Sequence, residues 1–321
     1  MNCFETQDFL MNTIVEQKIY NENPTEVYKK VVDEVRRLEN MLSYFKEDSE
    51  ISKLNKLAGI EKVNLSSEVI CVLSEAYKFS ELSNGAFDIT LAPVIDYWRR
   101  CGRFHKVPCE SEIEELIELV DYKKMNIDKI NNMAYLENQG IAVDLGGIGK
   151  GFAADVCVEL YKLMEVGSAF INFGGNVKTL GKKPDGDDWV IGIQHPFKQR
   201  GVHFGAVLVS NKSVVTSGSY ERYIEVNSEK YHHILDHRTG WPSQSDIVSA
   251  TVICENSMQA DAISTAIFVM GLEEGAELIT KIRDSEAVLV TKDNEIYLTK
   301  GIKENFFLTE QNSDYSCYLL E

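Results

Sequence analysis

Four glycines and a lysine stand between two aspartates in DLGGIGKGFAAD, Asp144 to Asp155. With the short apolar run IAVDL leading in and a helix-like stretch leading out, this loop has the parts of an anion site. Its glycines let backbone N–H groups converge, Lys150 brings a charge, and a helix N-terminus follows. A Walker A loop it is not, since Gly151 stands where Ser or Thr must follow the lysine. Nor does GGIGKG give the GxGxxG register of a dinucleotide fingerprint. A tight strand-to-helix turn with a solvated lysine is the alternative, and the loop alone leaves both open.

Four further stretches carry chemistry. Asp261 and Thr265, four apart in QADAISTAIFVMG, put a carboxylate and a hydroxyl on one helix face, a pairing that with a carbonyl suits Mg²⁺. The plainer reading is a helix-start aspartate and a threonine bonding back to its own turn. NFGGN (172–176) and TSGS (216–219) are read as two more small-residue turns, and three such turns would suit a cleft where backbone approaches a large ligand. YHHILDHRTGWP holds His232, His233 and His237, three of six histidines. No cysteine or spaced carboxylate motif completes a zinc set there. A general base beside a substrate hydroxyl and a simple surface turn both remain.

The elements that must position these residues follow from periodicity. Val27, Val31, Val35, Leu38 and Leu42 predict a helix over Pro24 to Leu42, and Ser66 to Ser83 predicts a second, capped by serine. SYFKEDSEISKLN between them reads as polar turn. A third helix is expected over Gly151 to Glu165, then β segments AFINFG, DWVIGIQ, HFGAVLV, SVVTSG, RYIEV and IVSATVI. Helices over Gln259 to Gly271 and near Glu273 to Arg283 precede two last strands, AVLVTK and EIYLTK. The order predicts an α+β fold with a helical layer in the first third.

Composition narrows the partners. The 321 residues are 44% apolar and 26% charged with a formal charge of −17, and no basic run is present, so nucleic acid is not expected as a partner. A polyanionic ligand would need a local positive site or a metal. Met1 to Tyr20 has no long apolar run, from which neither a signal peptide nor a membrane anchor is expected, and the expected location is the cytoplasm. Seven cysteines without CxxC pairing fit no disulfide framework, and most are expected as buried thiols.

Taken in order, these blocks resemble the ApbE-type FAD:protein FMN transferases, magnesium-dependent enzymes that move FMN from FAD onto a threonine or serine hydroxyl of a target protein. FLMNT resembles the family's AMGT block, SYFKEDSEISKLN its DSE(I/L)S block, NGAFDITLAPVIDYW its GxFDIT block and DLGGIGKGFAAD its DLGGIAKGYAAD block. FINFGGNV, VVTSGSYERY, HHILDHRTGWP and QADAISTAIFVMG each match a later block, so the likeness runs over nearly all of positions 9 to 271. It implies one ApbE-like domain over 1–321, built as two T-fold-like α+β lobes with the flavin in the cleft between them.

By the same resemblance, Met11, Tyr44, Asp88, Ile89, Thr90, Asp144 and Lys150 line the FAD site, with Leu235 contacting the nucleotide through its backbone. The Gly147 carbonyl, Asp261, Thr265 and Ser264 hold Mg²⁺ at the pyrophosphate. His233 is the base for the acceptor hydroxyl, and Arg222 is second to it, orienting the site. The implied partners are FAD and an acceptor flavoprotein with a Thr/Ser site. Rival readings are an FAD pyrophosphatase and a non-catalytic FAD store. Three departures stand out: Asn12 where the family has Gly, His237 where it has Pro, and the lack of an export or lipid signal found in many members, which implies a cytosolic target or one reached from the cytosolic face.

Overall fold

Val15, Gln17 and Ile19 alternate with more exposed neighbours and are fully buried, the period-two signature of a half-buried strand. In the computed structural model, which describes residues 2–309 and 315–320, they belong to a hairpin of β1 (Asn2–Leu10) and β2 (Thr13–Asn21). The first third is therefore not helical throughout. Then come α1 (Pro24–Leu42), α2 (Glu50–Lys56), β3 (Val63–Asn64), α3 (Ser67–Leu82), α4 (Ala92–Arg103), α5 (Glu110–Ile117), β4 (Met125–Asp128) and β5 (Met133–Leu136). The chain continues through α6 (Gly149–Leu163), β6 (Ser168–Phe173), β7 (Asn176–Leu180), β8 (Trp189–Gln194), β9 (His203–Val209) and β10 (Ser213–Gly218). After these come β11 (Tyr223–Val226), β12 (Glu229–His232), β13 (Ile247–Cys254), α7 (Ser257–Met270) and α8 (Leu272–Lys281). The last elements are β14 (Glu286–Thr291), β15 (Glu295–Leu298), β16 (Phe306–Leu308) and β17 (Ser316–Leu319).

Local chemistry sets the helix limits. Pro24 opens α1, where its missing N–H costs nothing, and its valines and leucines at three- and four-residue spacing are buried. Ser66 caps α3 by accepting from the Val69 N–H. The expected polar turn before it contains α2 instead, because Ser49 accepts from the Ser52 N–H and Ile51 and Leu54 are buried against the core. TSGS is not a turn either: Thr216 to Gly218 close strand β10, paired with β13.

Nine strands form the main sheet in the order β1-β2-β6-β7-β10-β13-β14-β15-β17, antiparallel except for the last pair. On one face α1, α6, α7 and α8 pack to make the larger core, with Val15, Ile171, Val215, Val252 and Leu289 facing Val31, Cys157, Ile263 and Ile267. The other face meets the small sheet β16-β9-β8 through Trp189, Phe204 and Val207 against Val214, Val288 and Val290. A third cluster, Leu91, Val94, Trp98, Ile113 and Leu235, joins α4 and α5 to the HHILDHRTGWP segment, with Trp98 Nε1 donating to the Gly240 carbonyl at 2.8 Å. This is the α+β architecture expected from the sequence.

The cysteine expectation fails for most positions. Cys157 and Cys254 are buried, but Cys3, Cys71, Cys109 and Cys317 are exposed; Cys3 and Cys317 lie on the two edge strands of the main sheet. Among the described residues no helix is long and apolar enough to cross a membrane.

The helices α6 and α7 meet backbone to backbone. A Cβ built on Gly151 would lie 2.3 Å from the Ser257 carbonyl oxygen and 2.6 Å from the Met258 Cα, and no side-chain rotation relieves contact with backbone. Gly151→Ala is expected to lower the unfolding free energy by about 1–3 kcal/mol through overpacking, despite alanine's advantage of roughly 1 kcal/mol in helix propensity. Urea denaturation checks this; a variant as stable as the parent would show that the helices separate at no cost.

Candidate active site

The N-terminal turns of α6 and α7 bring the glycine loop and the DAIST stretch together. Asp261, 3% exposed, accepts the Gly151 N–H on Oδ2 at 3.0 Å and the Lys150 ammonium on Oδ1 at 3.3 Å. The Ser264 and Thr265 hydroxyls both lie within hydrogen-bond reach of the Asp261 carbonyl, at 3.0 and 3.2 Å, the back-bonding geometry expected of a helix threonine. It does not preclude a ligand role, because each oxygen keeps lone pairs. Ser217, at the end of β10, lies 2.9 Å from the Ser264 hydroxyl and 3.2 Å from that of Thr265. Gly147 belongs to the same cluster: a Cβ there would come within 3.9 Å of Thr265 Oγ1.

These groups fit Mg²⁺. The side-chain donors are one carboxylate and hydroxyls, all hard oxygens, with the Gly147 backbone passing close by, and a cation at the buried Asp261 would replace the Lys150 charge that now faces it. Among the described residues no three His, Cys, Asp or Glu converge, which leaves no set suited to zinc.

His233 stands in the electrostatic field of this cluster. Its Nδ1 is 3.0 Å from the Arg222 carbonyl. A carbonyl only accepts, so Nδ1 carries the proton and Nε2 keeps its lone pair. Desolvation by the surrounding protein pushes the imidazole down to about 4, helped by the charges of Arg222 and Lys150 and opposed by the Arg222 carbonyl bond. The side chain nevertheless keeps solvent access. Arg222 in turn donates through Nη2 to the Asn12 carbonyl at 3.3 Å, tying this loop to the β1–β2 turn.

That turn explains one sequence departure. Met11 and Asn12 have φ of 48° and 57°, the pair of positive values a two-residue hairpin needs, and Asn tolerates this region nearly as glycine does. Met11 is the strained member. On the other side, Asp144 accepts from the Gly146 N–H at 2.8 Å, and burial raises its pKa against the pull of Arg99 and Arg222. Burial likewise raises Tyr44, which senses Asp96, Arg99 and Asp144. Met11, Tyr44, Asp144, Lys150, Gly147, Arg222, His233, Asp261, Ser264 and Thr265 are thus linked in one neighbourhood.

A sequence profile described as the ApbE family matches residues 11–289. The chain belongs to the ApbE family. A Klebsiella pneumoniae FAD:protein FMN transferase is 32% identical over 297 residues, 92% of each chain. A Treponema pallidum protein of the same name is 30% identical over 317 residues, 93% of this chain and 87% of its own. The crystal structure of the ApbE protein from Thermotoga maritima superposes with a TM-score of 0.87 at 30% identity, covering 95% of this chain and 99% of its own. The apo form of the Pseudomonas stutzeri flavinyl transferase ApbE shares the fold, with a TM-score of 0.81 at 24% identity over 95% of this chain and 96% of its own.

Within this ApbE chain the NGAFDIT block serves the scaffold through its side chains. Asp88 Oδ1 accepts from the Thr90 N–H at 2.8 Å and the Thr90 hydroxyl at 2.7 Å, while Oδ2 accepts from the Tyr122 N–H at 3.1 Å. Thr90 is fully buried and also receives the Asp121 N–H, so these two side chains clamp the 121–122 turn. The Ile89 side chain is buried, and its carbonyl receives the Asp144 N–H at 3.0 Å, fastening this block to the glycine loop. Leu235 points into the third core cluster, so its part in a site is limited to backbone. His237 packs on Gly85, where an added Cβ would sit 3.0 Å from its ring.

Sequence reasoning missed Arg99, Ser217 and the structural role of Asp155. Arg99 stacks 4.1 Å from the Phe45 ring centre and pairs with Asp96 on α4, a helix announced by Leu91, Val94, Ile95 and Trp98 at three- and four-residue spacing behind Pro93. Asp155 accepts the Ser257 and Met258 N–H groups at 2.9 Å and pairs with Lys178.

Burial raises the Asp88 carboxyl to about 6 even though Thr90 and Tyr122 donate to it. Asp88→Asn would turn an amide N–H₂ toward one of those donors, at a cost of about 1–3 kcal/mol for the unmet bond. A fall in melting temperature is expected; an unchanged one would show that the clamp is not structural.

Proposed function

We propose that this chain transfers FMN from FAD to a threonine or serine hydroxyl of an acceptor protein, using Mg²⁺ and releasing AMP. Supporting it are the curated relatives named FAD:protein FMN transferase. The observation that carries the chemistry is His233, whose Nδ1–H is committed to the Arg222 carbonyl and whose Nε2 is left to take a proton.

In this reading Met11, Tyr44, Asp144 and Lys150 bind FAD, with the backbone of Asp88 to Thr90 and of Leu235 completing the site. Asp261, Thr265 and the Gly147 carbonyl would hold Mg²⁺, which neutralises pyrophosphate oxygens when bound. Lys150, whose ammonium faces Asp261 at 3.3 Å, would supply its charge to the phosphates. His233 Nε2 removes the acceptor proton as the hydroxyl oxygen bonds to the FMN-side phosphorus. The bond from that phosphorus to the bridging oxygen breaks, and AMP leaves with its electrons. Arg222, anchored on the Asn12 carbonyl, holds His233 in place through its own carbonyl. Positioning and preset charge carry the rate in such a transfer.

Incubation with FAD, Mg²⁺ and an acceptor domain is expected to release AMP and raise the acceptor mass by one FMN adduct. AMP with free FMN and no adduct identifies a hydrolase, and retained FAD without AMP a binding protein. His233→Ala is expected to slow adduct formation by about 10²–10⁴-fold, and Asp261→Ala to abolish it. Because the unoccupied base is neutral above about 4, kcat/KM for FAD should stay level from pH 8 to about pH 5 and fall as His233 protonates below that. An acid limb near 6.5, the ordinary histidine value, would remove His233 as the low-pKa base.

A further inference from the structure

Proton arithmetic around Asp261 singles out a residue outside the proposed ligand set. The Asp261 carbonyl has two lone pairs. In helix α7 one of them belongs to the Thr265 backbone N–H, four residues on. One lone pair is left, yet both the Ser264 and Thr265 hydroxyls lie within reach of it, at 3.0 and 3.2 Å. One of those hydroxyl protons must therefore go elsewhere, and Ser217 Oγ is within hydrogen-bond distance of both.

Two directed arrangements satisfy all three protons. In the first, Thr265 donates to Ser217 (3.2 Å), Ser217 to Ser264 (2.9 Å), and Ser264 to the Asp261 carbonyl (3.0 Å). In the second, Ser264 donates to Ser217 (2.9 Å), Ser217 to Thr265 (3.2 Å), and Thr265 to the carbonyl (3.2 Å). The first uses the shorter contacts. It is also the one that places no donor on Thr265 Oγ1, leaving both of that oxygen's lone pairs unengaged. Thr265 and Ser217 are partly exposed and Ser264 is fully buried, so the unengaged oxygen is also the accessible one.

The geometry points to Ser217 as a positioning residue for the metal: it takes the Thr265 proton, passes its own to Ser264, and so fixes Thr265 Oγ1 as a pure acceptor toward a divalent cation. Thr265 is then the ligating hydroxyl, and Ser264 a buried link in the relay. Strand β10 supplies Ser217 from its last turn of the ladder, opposite Ala250 of β13, which couples the sheet to the metal site on α7. The assignment rests on the magnesium reading of Asp261 given above.

Mn²⁺ binding, followed by electron paramagnetic resonance with and without FAD, tests it apart from turnover. Ser217→Ala and Ser217→Val are expected to weaken Mn²⁺ by about fivefold, the worth of one hydrogen bond, and to raise the Mg²⁺ activation constant with kcat recovered at saturating Mg²⁺. Ser217→Thr, isosteric with the valine variant but keeping the hydroxyl, should bind as the parent does. That pair also serves if the alanine variant does not fold. Equal Mn²⁺ affinity in the threonine and valine variants overturns the relay. If Asp261→Asn loses Mn²⁺ while the valine variant does not, the magnesium reading stands and only the relay falls; parent-like Mn²⁺ binding by Asp261→Asn takes both down.

Discussion

Two helix starts complete one another in this protein. Asp155 on α6 accepts the first two N–H groups of α7, and Asp261 on α7 accepts the Gly151 N–H in the first turn of α6. Each helix otherwise leaves such donors unsatisfied at its N-terminus, and each aspartate also sits favourably in the positive end of the other helix's dipole. The exchange requires the two backbones to touch, which Gly151 alone permits at that position. Everything proposed for catalysis hangs on this crossing. It holds Asp261 by two points, sets Lys150 against it, and brings Gly147, Ser264 and Thr265 around the same small volume.

The crossing also answers how an acidic protein could receive a dinucleotide. A formal charge of −17 repels phosphates at long range, but in salt that field is screened beyond about 10 Å. Within the site the balance differs. Lys150 and Arg222 act together on His233, while Arg99 and Arg222 act on Asp144. Asp261 is the carboxylate that opposes them nearest Lys150, and a divalent cation would reverse its contribution. With such a cation bound, the local field at Lys150 would turn from mixed to positive.

Much of the fold was legible because its periodic signals are strong: α1 begins and ends at the predicted residues, and the strand over His203 to Val209 matches its apolar run. The failures have identifiable causes. Ile51 and Leu54 give α2 only two buried anchors, too few to stand out against a polar stretch. TSGS has turn composition, but pairing with β13 overrides it, since a strand interior that must pass close to α7 needs small residues. In the candidate site, Asp261 and Thr265 were readable from spacing as neighbours on one helix face, while their ligand and that of the glycine loop stayed open. Asp88 and Thr90 were not, because their roles depend on the distant Tyr122 and Asp121 N–H groups. Nor could spacing show that the two aspartates bounding DLGGIGKGFAAD part company, one facing the loop and the other capping a helix a hundred residues away.

The histidine illustrates how the scaffold can tune chemistry through backbone. A carboxylate partner would stabilise imidazolium and raise the pKa of His233; the Arg222 carbonyl orients the ring with a weaker pull, and desolvation by the surrounding protein together with nearby cations outweighs it. The base is therefore empty while the site waits, though intrinsically weak. Arrival of a pyrophosphate would change both cations' contributions at once, since Lys150 and Arg222 would be neutralised by the very group to be attacked. The same negative charge would raise the imidazole toward neutrality, strengthening the base when an acceptor hydroxyl needs it. Binding and basicity become linked without any movement of the ring, because the Arg222 carbonyl that fixes Nδ1–H is held through the same residue's contact with the Asn12 carbonyl.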